Sequence, residues 1–251
     1  MKHLFISLVL LAGFIFLSSC EKTSLSSNSS GSQSSIGGSM ARFAIVNNYL
    51  YTISYQSLKS FDISNPANPA LKSETTVAPN IETIFPFKDK LFIGSNQAMY
   101  AYELTDPGKP KPLSQTEYFI RGRDPIVAND TLAFSTVRNF GGVGGNMNII
   151  NIKQLSVPSM IGSIGMEEPH GLGLYKDVLY VCEGSKGLKV FMTNETARNP
   201  SAALIKTITT GDTFYDVIPY QQTLFAFIKD GFMTFNIADA KKPVQLARIT
   251  N

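Results

Sequence analysis

The chain has 251 residues, of which 43% are hydrophobic and 16% charged, and its formal net charge is +3. This near-neutral balance, without a Lys/Arg cluster interleaved with aromatic residues, argues against a nucleic-acid or polyanion surface. Two Cys and two His are too few for a disulfide framework or for a metal site built from several imidazoles, so we expect no metal and no cofactor.

Residues 1–19 predict a signal peptide. Met1-Lys2-His3 is a short basic start, and Leu4 to Leu17 carry no charge. A helix of that apolar length would cover roughly two thirds of the ~30 Å hydrocarbon layer of a bilayer, so a permanent span is the weaker interpretation.

The end of this segment, Leu17-Ser18-Ser19-Cys20, resembles the bacterial lipobox, in which the Cys sulfur receives diacylglycerol. The resemblance implies a lipoprotein anchored through Cys20 in the bacterial cell envelope. We expect the outer membrane, at its periplasmic or surface face. The alternative is an ordinary secretory signal that happens to end near a Cys.

Residues 20–40 are rich in Ser and Gly and predict a flexible tether with a root-mean-square span of about 25 Å. Residues 41–251 predict the folded domain. Loss of Lys2 with the signal lowers the formal net charge from +3 to +2. With Cys20 lipidated, Cys182 has no disulfide partner within the monomer, and its apolar surroundings predict a small core residue.

A fivefold repeat fills this domain. Similar segments begin at residues 47, 88, 129, 176 and 221, and their anchor leucines, 41, 41, 47 and 45 residues apart, are Leu50, Leu91, Leu132, Leu179 and Leu224. Each copy begins with a polar pair between two apolar runs, which predicts a tight hairpin. A third alternating run and a proline follow; because proline cannot donate to a ladder, it predicts the start of an outer strand. These prolines are Pro69, Pro110, Pro158, Pro200 and Pro243.

Four short strands per copy and a repeat of 41–47 residues predict an all-β fold, a β-propeller of five four-stranded blades. Because each blade buries its faces against its neighbours, we expect the ring to close. The main alternative is a two-sheet sandwich.

Two segments, Phe61 to Pro69 and Glu103 to Pro110, are similar to the bacterial LVIVD repeat, in which an apolar strand and an Asp precede an Asp-Pro-x-x-Pro type of turn. The fifth copy keeps part of the pattern at Ala238 to Pro243, whereas the third and fourth carry Asn151 and Met192 at the strand Asp position. The resemblance implies an extracytoplasmic propeller and brings no established activity.

Two motifs are candidates for a chemical role. Residues 139–146 form the only glycine-rich stretch but lack the Lys-Ser/Thr or helix that a phosphate loop needs, so they predict an extended surface hairpin. His170 is the only histidine of the domain, and no Gly-x-Ser-x-Gly elbow accompanies it. It predicts a loop residue near a blade entrance in preference to a general base.

Polar residues recur at the start of the innermost strands. Counting back eight residues from the anchors gives Arg42, Thr83, Asp124, Gly171 and Asp216; counting back nine gives Ala41, Glu82, Arg123, His170 and Tyr215. A shift of one residue swaps the faces of a strand, so either set can line the channel. The candidate ligand-binding ring at one mouth is Arg42, Glu82, Asp124, His170 and Asp216, and the bland alternative is that these residues only solvate the mouth.

We therefore expect a lipid-anchored monomer without catalytic residues, acting as a binding or assembly module for a protein or glycan partner. The alternative is a carbohydrate-active hydrolase or lyase in which Asp124, Asp216 or Glu82 supply acid and base. A catalytic pair would lie about 5–9.5 Å apart, with one raised pKa.

Overall fold

A computed structural model of the protein describes residues 38–117, 125–139, 144–196, 198–199 and 203–250. All of them belong to one compact unit, Ser32–Asn251. The signal peptide, Cys20, the tether up to residue 37, Asp124 and Pro200 lie outside the described residues.

The described chain forms five antiparallel sheets of four strands each, numbered here as blades 1 to 5 in chain order. One short helix, α1 (Thr193–Thr196), follows the third strand of blade 4. The strands, from the innermost to the outermost of each blade, are β1 (Phe43–Val46), β2 (Tyr49–Ser54), β3 (Ser57–Asp62) and β4 (Ala70–Thr76); β5 (Ile81–Phe87), β6 (Lys90–Ser95), β7 (Ala98–Glu103) and β8 (Lys111–Glu117); β9 (Ile126–Ala128), β10 (Leu132–Arg138), β11 (Gly145–Asn151) and β12 (Ser159–Met166); β13 (Leu172–Tyr175), β14 (Val178–Cys182), β15 (Leu188–Met192) and β16 (Leu204–Ile208); β17 (Phe214–Tyr220), β18 (Thr223–Ile228), β19 (Gly231–Asn236) and β20 (Val244–Thr250).

The predicted fold class, a propeller of five four-stranded blades, is confirmed. The first residue of the polar pair has a positive φ in four blades, as a tight hairpin requires, at Asn47, Lys88, Lys176 and Gln221. A predicted proline stands directly before the outer strand at Pro69, Pro110, Pro158 and Pro243. Turn chemistry therefore sets the blade boundaries.

Four apolar clusters hold successive blades together, one between each pair from blades 1 and 2 to blades 4 and 5. The second strand of each blade carries a residue that faces the preceding blade and, next to it, an aromatic ring that faces the following blade. The rings in blades 1 to 4 are 0–1% exposed and are Tyr51, Phe92, Phe134 and Tyr180. Alternation along a strand thus supplies both faces of each blade.

The two tyrosines among these rings also bond to the next blade. The Tyr51 hydroxyl donates to the Pro107 carbonyl at 2.9 Å, and the Tyr180 hydroxyl donates to the Ala240 carbonyl at 2.7 Å. Both carbonyls lie in the turn before an outer strand. Burial raises the pKa of both hydroxyls well above the usual range, so they stay protonated donors.

Blade 3 departs from the predicted anchor register. Its first hairpin is longer, because the Asn129 side chain accepts from the Thr131 and Leu132 amides and Ala128 pairs with Ala133. Ala133 faces blade 2, and Leu132 faces blade 4. The anchor prediction is therefore wrong by one residue in this blade, since the alignment followed the leucine and missed the extra turn residue.

The ring is open between blades 5 and 1, which corrects the expectation of closure. Among the described residues no buried cluster joins these two blades. On blade 5, Phe225 and Phe227 are 38% and 57% exposed; on blade 1, Phe43 and Ile45 are 63% and 47% exposed. The five blades thus form an arc with two free ends.

The domain begins before residue 41. Residues 38–41, here called the strap, run along the inner strands ahead of β1. The Ser39 hydroxyl donates to Asp216 in blade 5 at 3.1 Å and accepts from the Leu172 amide in blade 4 at 2.7 Å. The Ala41 carbonyl accepts from the Ile84 amide in blade 2. The strap therefore links the inner strands of blades 2, 4 and 5.

Within the described chain, the sole helix is the four-residue α1, and nothing helical there has the length and apolarity to cross a bilayer.

Candidate functional site

The candidate site is the channel mouth at which the inner strands begin, and Asp216 is a half-buried acid at its centre. Oδ1 of Asp216 accepts from the Ser39 hydroxyl at 3.1 Å and from the Val217 amide at 2.9 Å. Two glycines make room for the carboxylate: a Cβ on Gly171 would lie 2.0 Å from Oδ1, and one on Gly38 would lie 2.2 Å from Oδ2. Asp216 is thus packed between the strap and blade 4.

The enclosure changes the acidity of Asp216. Burial raises its pKa to about 6, and the amides of Val217 and Met40 and the Ser39 groups lower it in part. Desolvation disfavours the charged form and outweighs these hydrogen bonds, which favour it. At neutral pH the carboxylate is ionised but can take up a proton under mild acid.

His170 occupies the same mouth beside Asp216. Its amide donates to the Cys182 carbonyl at 2.9 Å, and its carbonyl accepts from the Thr136 hydroxyl of blade 3. The imidazole meets the Tyr215 ring edge-on, with centroids 5.1 Å apart. Burial and the nearby positive charge of Arg138 lower the His170 pKa to about 4, against the opposing effect of Glu168. The ring is therefore neutral at physiological pH.

Hydrogen bonds between two loops, residues 167–168 and 183–185, fix the segment that carries His170. Oε2 of Glu168 accepts from the Ser185 amide at 2.7 Å and from the Ser185 hydroxyl at 2.9 Å. The neighbouring Glu167 amide donates to Glu183, which is 1% exposed and ion-paired with Lys189. Because Ser185 donates to Glu168, the geometry is a structural clamp, not a Ser-His nucleophile pair.

Each of the two sets of residues counted back from the anchor leucines contains a pair that meets at this mouth. Gly171 and Asp216, eight residues before their anchors, are in contact, and so are His170 and Tyr215, nine residues before them. A β-bulge between Phe214 and Asp216 breaks the alternation of β17. The strand can therefore present adjacent residues at one mouth.

Two further residues of the predicted ring lie on blades 1 and 2. Arg42 is exposed between the strap and β1, and its carbonyl accepts from the Ile53 amide at 3.0 Å. Glu82 is half-buried on β5. Asp124 lies outside the described residues. Ligand binding by the five predicted residues stays a prediction.

Sequence reasoning missed three members of this mouth: Ser39, Arg138 and Glu168. Ser39 belongs to a Ser-rich stretch that looks like a tether, and only its burial distinguishes it. Arg138 ends β10, far from the counted positions. Glu168, two residues before His170, was the one detectable signal, since a carboxylate so near in sequence can interact with the ring.

The glycine-rich stretch begins directly after β10 and ends within its paired strand β11, and the extended surface hairpin stays a prediction. Strands β10 and β11 pair from Leu132–Asn151 to Arg138–Gly145, and the Asn139 amide donates to the Gly144 carbonyl at 3.0 Å. Residues 140–143 lie outside the described chain.

Comparison with known proteins identifies the fold and no family. No protein-family model and no curated protein sequence matches the chain. Among solved structures, the computationally designed Ika8 protein aligns with a TM-score of 0.60, 11% identity and 78% of this chain. A functionally unknown protein from Desulfotomaculum acetoxidans DSM 771 aligns with a TM-score of 0.65 and 13% identity over 82% of this chain. A protein from Lactobacillus plantarum aligns with a TM-score of 0.61 and 14% identity over 80% of this chain.

These neighbours are longer than the aligned part. The chain spans 57% of the Ika8 chain, 68% of the Desulfotomaculum protein and 67% of the Lactobacillus protein. The five blades thus superpose on a segment of each larger chain.

Proposed function

We propose that the protein is a binding or assembly module of the bacterial cell envelope, anchored by lipid on Cys20, which holds a protein or glycan partner at the mouth cluster. The mouth cluster is defined as Arg138, Glu168, His170 and Tyr215. It combines an aromatic surface with charges of both signs, which suits a partner that has polar groups on an apolar face.

The observation that carries the proposal is the rigid support of this cluster. The His170 carbonyl accepts from the Thr136 hydroxyl of blade 3, and its amide donates to the Cys182 carbonyl of blade 4. Glu168 accepts two bonds from Ser185. The Tyr215 ring packs between His170 and Phe227, with centroid distances of 5.1 and 5.9 Å. Side chains fixed before a partner arrives lose little conformational freedom on binding.

The catalytic alternative has one observation in its favour, the pKa of Asp216 near 6, which is typical of a general acid. Against it, Oδ1 is engaged by the Ser39 hydroxyl and the Val217 amide, and both flanking glycines lie against the carboxylate. A substrate oxygen would have to displace the strap. Asp216 is better suited to anchoring the strap than to transferring a proton.

Binding at the mouth is tested with Tyr215→Ser and a matched control, Tyr220→Ser, at the other end of the same strand β17. The detergent-solubilised protein is probed on a glycan array and against cell-envelope extract, and retained partners are quantified. The proposal predicts that Tyr215→Ser loses retention while Tyr220→Ser keeps it. Equal retention by both variants would remove the site from this mouth.

The anchor is tested separately with Cys20→Ala. We expect the variant to lose incorporation of radiolabelled fatty acid and to remain unprocessed, because the thioether needs the sulfur of that residue. Fatty-acid labelling that persists in Cys20→Ala would contradict the anchor without bearing on the mouth cluster.

A further inference from the structure

The two free ends of the arc carry apolar residues at the same repeat positions that are buried in the four packed interfaces. The residue that faces the preceding blade is 0% exposed in blades 2 to 5, at Leu91, Ala133, Leu179 and Leu224. The equivalent Leu50 of blade 1 has no preceding blade against it and is half-buried.

The same comparison applies to the other end. The aromatic ring that faces the following blade is 0–1% exposed in blades 1 to 4, whereas the equivalent Phe225 of blade 5 is 38% exposed. Its neighbours on that face include Phe227, which pairs with Phe232, and Phe232 pairs with Ile249. These three side chains are 57%, 38% and 48% exposed. Blade 5 thus keeps a face suited to a following blade.

We propose that the free face of blade 5 docks the free face of blade 1 of a second copy, so that the protein associates head to tail. The joint would continue the series of blade interfaces, with Phe225 and Phe227 covered by Phe43, Ile45 and Leu50 of the other copy. Contiguous exposed apolar surface of this kind is typical of an interaction site.

A second copy suits this contact better than the chain's own blade 1. To bring β1 onto β17 within one molecule, each packed interface between blades 1 and 5 would have to tighten. Those interfaces are close-packed and resist such changes. The arc also superposes on segments of longer chains, as expected if its curvature belongs to a ring with more blades. Because the same close packing resists opening of the arc, copies joined head to tail leave free ends that can add further copies.

The contact adjoins the mouth cluster through Phe227, which packs against the Tyr215 ring. Association is therefore measured on the purified protein with no partner present, so that its failure is distinguishable from a failure of partner binding. The proposed association departs from the monomer expected from the sequence. In the sequence, the residues of the two end faces look like those of any other strand, and only their exposure in the structure distinguishes them.

Two complementary variants test the proposal. Phe225→Thr with Phe227→Thr disables the blade 5 face, and Phe43→Thr with Ile45→Thr disables the blade 1 face; threonine keeps the preference for strand. Val157→Thr with Ile161→Thr, at 69% and 43% exposure on blade 3, is the matched control. Circular dichroism and thermal melting establish that each full-length variant is folded.

Sedimentation velocity in density-matched detergent, over a range of protein concentrations and with reductant present, measures association. We expect the wild-type chain and the control to associate, and each end-face variant to raise the dissociation constant at least about a hundredfold. An equimolar mixture of the two end-face variants should form a complex of one copy of each and nothing larger, because one intact joint remains.

Every other outcome overturns the proposal. A wild-type chain that stays monomeric at the highest concentration shows that the faces do not dock. Association that survives in the blade 1 variant alone indicates that blade 5 pairs with itself. A mixture without a complex shows that the two faces are not partners. If an end-face variant fails to fold, single substitutions Phe227→Thr and Phe43→Thr repeat the same experiment.

Discussion

At the scale of single residues, the channel mouth is organised around the carboxylate of Asp216. The strap and blade 4 approach it so closely that a Cβ at Gly38 would touch the carboxylate and one at Gly171 would also touch the backbone of Asp216. Ser39 joins the two sides by donating to Asp216 and accepting from Leu172. A residue that the sequence suggests as a ligand-binding acid is thus also a structural centre.

Asp216→Asn should change stability in a pH-dependent way. Because the folded-state pKa is raised to about 6 from 3.8, ionisation costs the folded state stability: the cost is absent below about pH 4, grows as the pH rises and is complete above about pH 6. The full cost is on the order of 3 kcal/mol. Relative to the wild type, Asp216→Asn should therefore gain stability between pH 4 and 7. Chemical denaturation at several pH values measures this, and a difference that stays constant or declines would contradict the burial of the carboxylate.

Gly171→Ala should destabilise the domain by roughly 1–3 kcal/mol, because its Cβ would lie 2.0 Å from Oδ1 and 2.9 Å from the Cα of Asp216. The matched control is Gly165→Ala on β12, whose Cβ would meet nothing within 4 Å. Thermal melting compares the two. Equal melting temperatures for Gly171→Ala and Gly165→Ala would contradict the close contact between blade 4 and Asp216.

At the scale of the elements, tight turns and strand alternation were predictable from sequence, whereas burial was only partly so. Polar pairs and prolines located the hairpins and outer strands because their backbone demands are local. The one-residue shift in blade 3 was not predicted. The turn stabilised by the Asn129 side chain is one residue longer than in the other blades, and aligning the leucines hides this extra residue. The strap escaped for the opposite reason: Ser39 carries no apolar signal, and its burial comes from a partner 177 residues away.

Leu91→Ala and Leu50→Ala form a matched pair at equivalent positions of β6 and β2. Leu91 is fully buried against blade 1, so its loss should cost about 2–5 kcal/mol. Leu50 lies on the free face of blade 1 and should cost about 1 kcal/mol or less at low protein concentration. Denaturant unfolding gives both values. Equal, large costs would mean that another blade covers Leu50.

At the scale of the whole molecule, the five repeats build an arc whose interfaces are alike and whose ends are unmatched. The number of blades was predictable from the repeat, because each copy has four strands with the same turn chemistry. Closure was not, since it depends on the angle between packed blades, which the clusters at four interfaces set together. The function of the mouth cluster depends equally on contacts between blades, as the His170–Tyr215 pair illustrates.

The open end is tested most directly by thiol labelling at two equivalent positions, Phe225→Cys and Phe92→Cys, in a Cys20→Ser background. The remaining Cys182 is fully buried, and burial raises its thiol pKa, so it reacts slowly. At low micromolar protein, the thiol of the Phe225→Cys variant should react in the native state at least about a hundredfold faster than that of Phe92→Cys, which needs local opening. Equal protection of the two thiols in a sample that sedimentation velocity shows to be monomeric would mean that blades 5 and 1 meet within one molecule and would contradict the open arc.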